Sequence, residues 1–302
     1  MMIVTTPLET LLKFNQLGLI PGPDENEEQF LQRAQYCLKL KEQLVPRLKE
    51  NLPMMQADFD SSCLFLKEAY PKTKKLFDIV PDWIPVFFSN YRLAPWHGGC
   101  AWIFQSTEDS PTGAFFQLRN AFRTQERYLH LYDRKDLIAH ELAHVGRMTF
   151  QEPVFEEMLA YQTSSSGFQR LFGPIVQSSR ESSFFVLVLI FVFLIDFFLV
   201  VNGQEQMYSS VMWLKIIPLG LIAYALQRLF WKHRQLKRCL NQLQMAIQDK
   251  DKSSAMIYRL QDHEIKSFAL MTPKEIFEYA KQNSQLSLRW HISFAAYFRN
   301  NS

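Results

Sequence analysis

Two long apolar runs limit what this chain can fold into more than any other feature of its sequence. Residues 184–201 form 18 consecutive positions with a single charge, Asp196, and residues 211–226 form a second run that continues to Trp231. A helix needs about 20 mostly apolar residues to cross the hydrocarbon core of a bilayer. Because the polar stretch 202–210 between the runs is short, we expect an antiparallel helical hairpin that spans a membrane twice.

Basic residues indicate how this hairpin is oriented. They flank the hairpin, and the linker between the runs has none: Arg170, Arg180, Arg228, Lys232, Arg234, Lys237 and Arg238. Since lysine and arginine accumulate on the cytoplasmic side of membrane helices, both termini and both large flanks are expected in the cytoplasm. Asp196 and Lys215 fall at similar depth and are expected to form an ion pair. The alternatives are a Lys215 side chain that snorkels alone, and a hairpin buried in a soluble core.

Composition and charge narrow the class of protein. Of 302 residues, 48% are hydrophobic and 21% are charged, which is typical of a globular chain with additional apolar segments. The net charge of +3 is spread along the chain, so no nucleic-acid partner is expected. The first residues lack the features of a secretory signal. Cys37, Cys63, Cys100 and Cys239 are widely spaced, which favours free thiols in a reducing compartment.

The hairpin divides the chain into regions with different expected structures. These are an N-terminal helical region at 1–80, a central region at 81–182, the hairpin at 183–231 and a helical tail at 232–302. The spacing of apolar residues predicts a helix over Glu27–Leu48. Aromatic and β-branched runs predict strands of a small antiparallel sheet at residues 84–91, 100–105 and 113–118. In the tail, a helix is expected to continue from the second apolar run, and a capping box is expected at Thr272.

A His-Glu-Leu-Ala-His motif at residues 140–144 carries the strongest chemical signal in the sequence. Asp133 predicts the N-cap of a helix from Arg134 to about Thr149, so the motif lies inside a helix. Residues four apart share one face of a helix, which lets the two imidazoles bind one metal ion. The carboxylate of Glu141, next to the first imidazole, would then stand beside the open position of the metal, as a general base requires.

A catalytic zinc site needs a third protein ligand, and two adjacent glutamates offer one. Pro153 predicts a second helix that continues through Tyr161, and this helix carries Glu156 and Glu157. Either carboxylate is close enough in sequence to serve as the ligand. Acidic residues also favour the first turn of a helix, so a purely helix-stabilising role is the alternative. For Glu156, further alternatives are to orient a histidine or to pair with Arg147.

The pattern resembles the gluzincin branch of the zincin-like metallopeptidases, in which the motif is followed by a helix bearing Glu-x-x-Ala. Residues 157–160, Glu-Met-Leu-Ala, match that pattern. The resemblance implies that His140, His144 and Glu157 bind one zinc ion per chain, that Glu141 is the general base, and that the small Ala160 lets the two helices approach closely. It implies an α+β fold for the central region: a small antiparallel or mixed sheet, an active-site helix and a glutamate helix, followed here by the transmembrane hairpin and the helical tail.

The resemblance also implies that the substrate is a peptide or protein that binds along an open edge of the sheet, for which residues 113–118 are the expected strand. Arg147, Tyr161 and His97 are candidate substrate or oxyanion contacts, with ordinary structural roles as alternatives. The sequence therefore predicts a zinc peptidase anchored in the lipid bilayer, with membrane-associated proteins among its substrates. Cleavage within the bilayer is disfavoured because the motif lies outside both apolar runs. The alternative function is a non-catalytic membrane scaffold with a structural or vestigial metal site.

Overall fold

The computed structural model describes residues 4–48, 59–105, 110–129, 132–176 and 179–299. Within these ranges the protein is mostly helical, with two small sheets and two long apolar helices. In chain order the helices are α1 (Leu8–Gln16), α2 (Glu27–Leu48), α3 (Phe59–Phe77), α4 (Arg134–Gly146), α5 (Pro153–Ala160), α6 (Gly167–Phe172), α7 (Ser179–Val201), α8 (Glu205–Val211), α9 (Ile216–Ile247), α10 (Lys250–Ile257), α11 (Asp262–Phe268), α12 (Pro273–Asn283) and α13 (Leu288–Tyr297). The predicted helix over Glu27–Leu48 is confirmed.

The sheet beside α4 is mixed. Its strands are β1 (Val86–Phe88), β2 (Gly99–Phe104) and β3 (Gly113–Leu118), in the order β1-β3-β2. Strand β1 runs parallel to β3, and β2 runs antiparallel to it. The three strands lie where the sequence predicts them, although the first is shorter than its apolar run. A separate two-stranded ribbon pairs β4 (Arg127–Tyr128) with β5 (Tyr132–Asp133).

The prediction that residues 113–118 form the open edge of the sheet is wrong. Strand β3 is central, and all but one of its residues are buried. A strand whose side chains are buried on both faces is typical of the interior of a sheet, where other parts of the protein cover each face. Strand β2 has no fully buried residue and lies at an edge.

The helices that carry the motif and the adjacent glutamates begin where the sequence predicts. The Asp133 carboxylate accepts hydrogen bonds from the N–H groups of Lys135 and Asp136 at 3.0 and 3.4 Å, which caps α4. Helix α4 ends at Gly146, three residues before the predicted end. Helix α5 begins at Pro153, whose ring suits a first helical position, and ends just before Tyr161.

Two helical segments are long and apolar enough to cross a membrane, by length and composition: Glu181–Val201 and Met212–Ile247. Only 6% and 11% of their most apolar windows are buried within the protein, whereas the core helix of a soluble protein would be mostly buried. The linker between the two segments is not an irregular polar loop throughout, because it contains the short helix α8. The predicted ion pair is confirmed, with Lys215 Nζ 3.0 Å from Asp196 Oδ2.

The tail packs directly on the central region. Leu243 of α9 lies in one apolar core with Ala143 of α4 and Phe155 of α5. The N-terminal region joins the same assembly, since the Asn15 side chain donates a hydrogen bond to the Tyr297 hydroxyl at 3.1 Å. Helices far apart in the chain therefore support the two helices that carry the predicted site.

The described cysteines agree with the expectation of free thiols. Cys37, Cys100 and Cys239 form no disulfide, and the side chain of Cys63 lies outside the described residues. Burial raises the pKa of the Cys37 and Cys100 thiols to about 12, so both stay protonated at neutral pH.

Candidate metal centre

Helices α4 and α5 bring two histidines and a glutamate to one point. His140 and His144 lie one turn apart on α4, with their Nε2 atoms separated by 3.2 Å. From α5, Glu157 places Oε2 3.6 Å from His140 Nε2 and Oε1 3.5 Å from His144 Nε2. Side chains that the sequence places on different helices thus present converging ligand atoms, all within 4.8 Å of one another.

These separations fit a tetrahedral zinc site. With zinc–ligand distances of about 2.0–2.1 Å, tetrahedral angles place neighbouring ligand atoms about 3.3–3.4 Å apart. The Nε2 atoms of the two histidines, 3.2 Å apart, lie close to that range. The 3.5 and 3.6 Å separations to Glu157 run to different carboxylate oxygens, Oε1 and Oε2, and with one oxygen taken as the ligand the three atoms lie within 4.8 Å of one another. Two imidazoles and one carboxylate are also a donor set that zinc hydrolases use, with a fourth position left open. The residues present could therefore hold such an ion.

Glu156 lies behind this cluster. Its Oε1 is 2.9 Å from Nδ1 of His144, whereas Glu157 approaches Nε2 of the same ring. A carboxylate at Nδ1 fixes the tautomer that presents Nε2 to a metal. The sequence left open which of the two glutamates is the third ligand. In the structure Glu157 is placed as the candidate ligand and Glu156 as the group that orients His144. His140 is held by a hydrogen bond to the backbone of Ala160.

The two histidines differ in their affinity for a proton. Burial lowers the pKa of His140, and the neighbouring His144 lowers it further, to about 3. Burial also acts to lower the pKa of His144, but the hydrogen bond with Glu156 and the nearby carboxylates outweigh it and raise the pKa to about 9. Without a metal, one imidazole is a free base while the other carries a proton that a cation would displace.

Glu141 is half-buried and contacts the edge strand. Its Oε2 accepts a hydrogen bond from the N–H of Ala101 in β2 at 2.7 Å. Burial raises the pKa of Glu141 above its ordinary value, against the lowering effects of His144 and of the Ala101 N–H group. A carboxyl group with a raised pKa is better suited than an ordinary one to exchange protons near neutral pH.

A cleft of about 640 Å³, here called the apolar cleft, opens beside His140 and Glu141. Its walls are α4, the loop that leads into β2, and the chain between α5 and α7. Tyr161 lines the cleft, with its ring centroid 4.6 Å from that of His140, and its pKa is raised to about 12 by burial. His97 lines the cleft as well and is exposed to solvent. Two of the three predicted contact residues thus lie at the cleft.

Arg147, the third predicted contact, does not line the apolar cleft. Its side chain is buried, and Nη1 donates hydrogen bonds to the carbonyl groups of Tyr258 and Leu260 in the tail. The guanidinium carbon also lies 4.3 Å from the centroid of the Phe150 ring. The expectation that Arg147 faces the cleft beside His140 is therefore corrected: at the end of α4 its side chain turns toward the tail, and Arg147 lines a different cavity, together with Glu156.

The tail positions both helices of the site, which the sequence did not predict. Asp262 accepts hydrogen bonds from the N–H groups of Val154 and Phe155 at 2.9 and 3.2 Å and so caps α5 from a distance. The Tyr258 hydroxyl donates to the Ala143 carbonyl of α4 at 2.6 Å. A cap that comes from a hundred residues away leaves no local pattern. What hints at a distant cap is the N-cap position of α5, where Glu152 makes no side-chain capping hydrogen bond.

Comparisons with known proteins do not add a relative. The chain matches no protein-family model, no curated protein and no solved structure. Its function must therefore be inferred from the geometry of the site itself.

Proposed function

We propose that the protein is a membrane-anchored, zinc-dependent peptidase of the zincin-like type, with His140, His144 and Glu157 as metal ligands. The observation that carries the proposal is the convergence of their ligand atoms, one from each residue, within 4.8 Å of one another. One zinc ion at that point would have three protein ligands and an open fourth position, which is the arrangement of catalytic rather than structural sites.

Glu141 is the residue that would move protons. Zinc, when bound, supplies Lewis acidity that activates water and polarises a carbonyl group. Glu141 follows the ligand His140 and lines the apolar cleft, so its carboxylate can take the proton of the attacking water and then give it to the leaving amine. The N–H group of Ala101 holds that carboxylate in place. Tyr161, next to His140, is the candidate donor to the developing oxyanion.

Among the described residues no strand pairs with the edge of β2 that faces away from β3, and this edge suits an extended peptide substrate. In an antiparallel pair, alternate residues of an edge strand point their backbone N–H and C=O groups away from the sheet. The pairing of β2 with β3 turns Gly99, Ala101 and Ile103 outward, and the outward N–H of Ala101 is the one that meets Glu141. A peptide that extended the sheet at this edge would pass over Glu141.

The apolar hairpin supports anchorage in a bilayer, and the basic flanks favour a cytoplasmic site. We expect the thiol of Asn202→Cys, in the linker, to react from outside intact cells with a maleimide that does not cross membranes. The thiol of Leu286→Cys should react only after permeabilisation. Both are made in a chain whose native cysteines are changed to serine. The opposite labelling pattern would overturn the orientation.

The function is tested by measuring bound zinc and peptide hydrolysis on the same purified samples. Glu141→Gln should keep one zinc per chain and lose hydrolysis of a mixed peptide library analysed by mass spectrometry. Glu157→Ala should lose both zinc and hydrolysis, because a ligand is gone. Glu278→Gln, an exposed glutamate on α12, is the control and should keep both.

Two results would reject the proposal. One is a wild-type chain that binds no zinc when the metal is supplied, and the other is a Glu141→Gln variant that hydrolyses peptides at the wild-type rate. A chain that binds zinc and hydrolyses nothing, with its cellular role intact in Glu141→Gln, would instead indicate a non-catalytic membrane scaffold.

A further inference from the structure

The apolar cleft has an exposed aromatic wall. Phe168 and Phe172 of α6 and Ile175 just beyond it line the cleft. The Phe168 side chain is 72% exposed, and its ring centroid lies 4.9 Å from that of Phe172. An exposed aromatic ring that stands against a half-buried one at the mouth of a cleft is typical of a surface that binds an apolar ligand.

A second cavity, here called the polar groove, opens at the other end of β2. It has a volume of about 1020 Å³ and is lined by polar and charged side chains that include Glu25 and Gln261. Ile103 and Phe104 of β2 line it too. Glu156 also lines the polar groove, which therefore reaches the back of the candidate metal centre.

Strand β2 joins the two cavities. Gly99 lines the apolar cleft, Ile103 lines the polar groove, and Ala101 between them contacts Glu141. From its first to its last residue the strand covers about 17 Å at ~3.3 Å per residue. A peptide on this edge would have one half in apolar surroundings and the other half in polar surroundings, with the general base between them.

The α6 side of the apolar cleft is hydrogen-bonded to the second predicted membrane span and is close in sequence to the first. Ile175 precedes the start of the first span at Glu181 by a few residues. From the second span, Arg228 donates hydrogen bonds to the Ile175 carbonyl at 3.2 Å and to the Glu181 carboxylate at 2.6 Å. A ring nitrogen of His233 lies 2.9 Å from the Leu171 carbonyl. These contacts place the apolar cleft at the base of the spans, where an apolar segment would leave a bilayer.

We infer that the site acts on polypeptides in which an apolar membrane segment adjoins a polar segment, and that it cuts at the junction. The apolar half lies against Phe168, Phe172 and Ile175, and the polar half enters the polar groove. The inference rests on the proposed peptidase function and adds the substrate class. In the reaction, water adds across the amide bond to give a carboxylate and an amine, so no further reactant is needed.

The test uses two labelled peptides of identical composition and the full chain in nanodiscs. The junction peptide joins a leucine-rich half to a half rich in serine, lysine and aspartate, and the mixed peptide alternates the same residues. Binding is measured with Glu141→Gln, which separates recognition from hydrolysis, and cleavage is measured with the wild type. We expect the junction peptide to bind about tenfold more tightly than the mixed peptide, with cleavage at the junction.

Variants of α6 separate the cleft from general membrane affinity. Phe168→Ser, made in the wild type for cleavage and in Glu141→Gln for binding, should weaken binding and lower kcat/KM for the junction peptide by about tenfold, with little effect on the mixed peptide. Leu171→Ser is the matched control, because Leu171 is an exposed apolar residue of the same helix that does not line the apolar cleft. It should change neither value.

The outcomes distinguish the two proposals. Equal binding and equal cleavage of both peptides would overturn the substrate class and leave the peptidase function standing. Selective binding of the junction peptide that depends on Phe168, without hydrolysis by the wild type, would support the ligand class and reject the enzyme. Equal effects of Phe168→Ser and Leu171→Ser would also overturn the inference, because selectivity would then arise from the membrane.

Discussion

His144 Nδ1 and Glu156 Oε1 lie 2.9 Å apart, and this contact decides which nitrogen of His144 faces the candidate metal centre. With Nδ1 taken by Glu156, Nε2 is the atom left to meet Glu157 and His140. Glu156 and Glu157, adjacent on α5, therefore contact different nitrogens of the same imidazole ring.

The first prediction concerns the unequal roles of the two glutamates in binding zinc. Glu156→Gln should lower zinc affinity by about 10- to 100-fold, as loss of an orienting partner typically does. Glu157→Gln should lower it further, because a ligand is removed. Competition with a fluorescent chelator measures both, and Glu278→Gln is the control. A larger loss in Glu156→Gln than in Glu157→Gln would exchange the two assignments.

The second prediction concerns the distant cap of α5. Asp262→Ala should destabilise the fold by about 1 kcal/mol, the usual contribution of a capping side chain, and should also weaken zinc binding because α5 carries Glu157. Asp249→Ala is the matched control: Asp249 caps α10 through the N–H groups of Asp251 and Lys252. It should lower the Tm similarly and leave zinc affinity unchanged. Equal zinc affinity in both variants would contradict the coupling.

The third prediction concerns the close approach of the tail to α4 at Gly146. A Cβ added there would meet the Tyr258 hydroxyl at 2.2 Å, so Gly146→Ala should cost about 1–3 kcal/mol of stability through overpacking. Tyr258→Phe removes the clashing oxygen together with its bond to Ala143. The double variant should then be more stable than the sum of the single changes predicts.

Chemical denaturation of the four proteins in detergent measures this coupling. Gly167→Ala is the control, because the nearest atom to its added Cβ is the Arg170 side chain at 3.9 Å. Strictly additive losses would mean that the two residues do not meet as the structure shows.

The fourth prediction concerns a buried ion pair in the tail. Glu264 and Arg289 lie 2.9 Å apart with side chains 2% and 3% exposed, and the Trp290 indole also donates to Glu264. Burial acts to raise the pKa of Glu264, but Arg289 and these hydrogen bonds outweigh it and hold the pKa below its ordinary value. The resulting stabilisation is present above about pH 4.5 and is lost as the pH falls toward the lowered pKa.

Glu264→Gln should therefore destabilise the fold at neutral pH by about 3–5 kcal/mol, because it leaves Arg289 buried without a counter-charge. The Tm of the variant should also fall less steeply than that of the wild type as the pH is lowered from about 4.5 toward the lowered pKa of Glu264. Thermal unfolding followed by tryptophan fluorescence measures both. If the Tm of the wild type and that of the variant fall in parallel as the pH is lowered, a group other than Glu264 causes the loss of stability in acid.

Much of the local structure and part of the site could be predicted from the sequence. Asp133 and Pro153 mark helix starts through hydrogen bonds and ring geometry that involve only neighbouring residues. The spacing of His140 and His144 puts both rings on one helical face in any fold that keeps the helix. The resemblance to gluzincins pointed to Glu157 rather than Glu156 as the ligand, and in the structure Glu157 is the glutamate that lies near the Nε2 atoms of both histidines.

What the sequence determined by itself is therefore local: helix boundaries, the shared face of the motif, and two apolar helices long enough to span a bilayer. Only the tertiary structure decided that β3 is central and that β2 lies at an edge, that Arg147 turns to the tail, and that Asp262 caps α5. The physical reason is range. Periodicity and capping act over a few residues, whereas strand order and distant caps depend on the packing of segments that lie far apart along the chain.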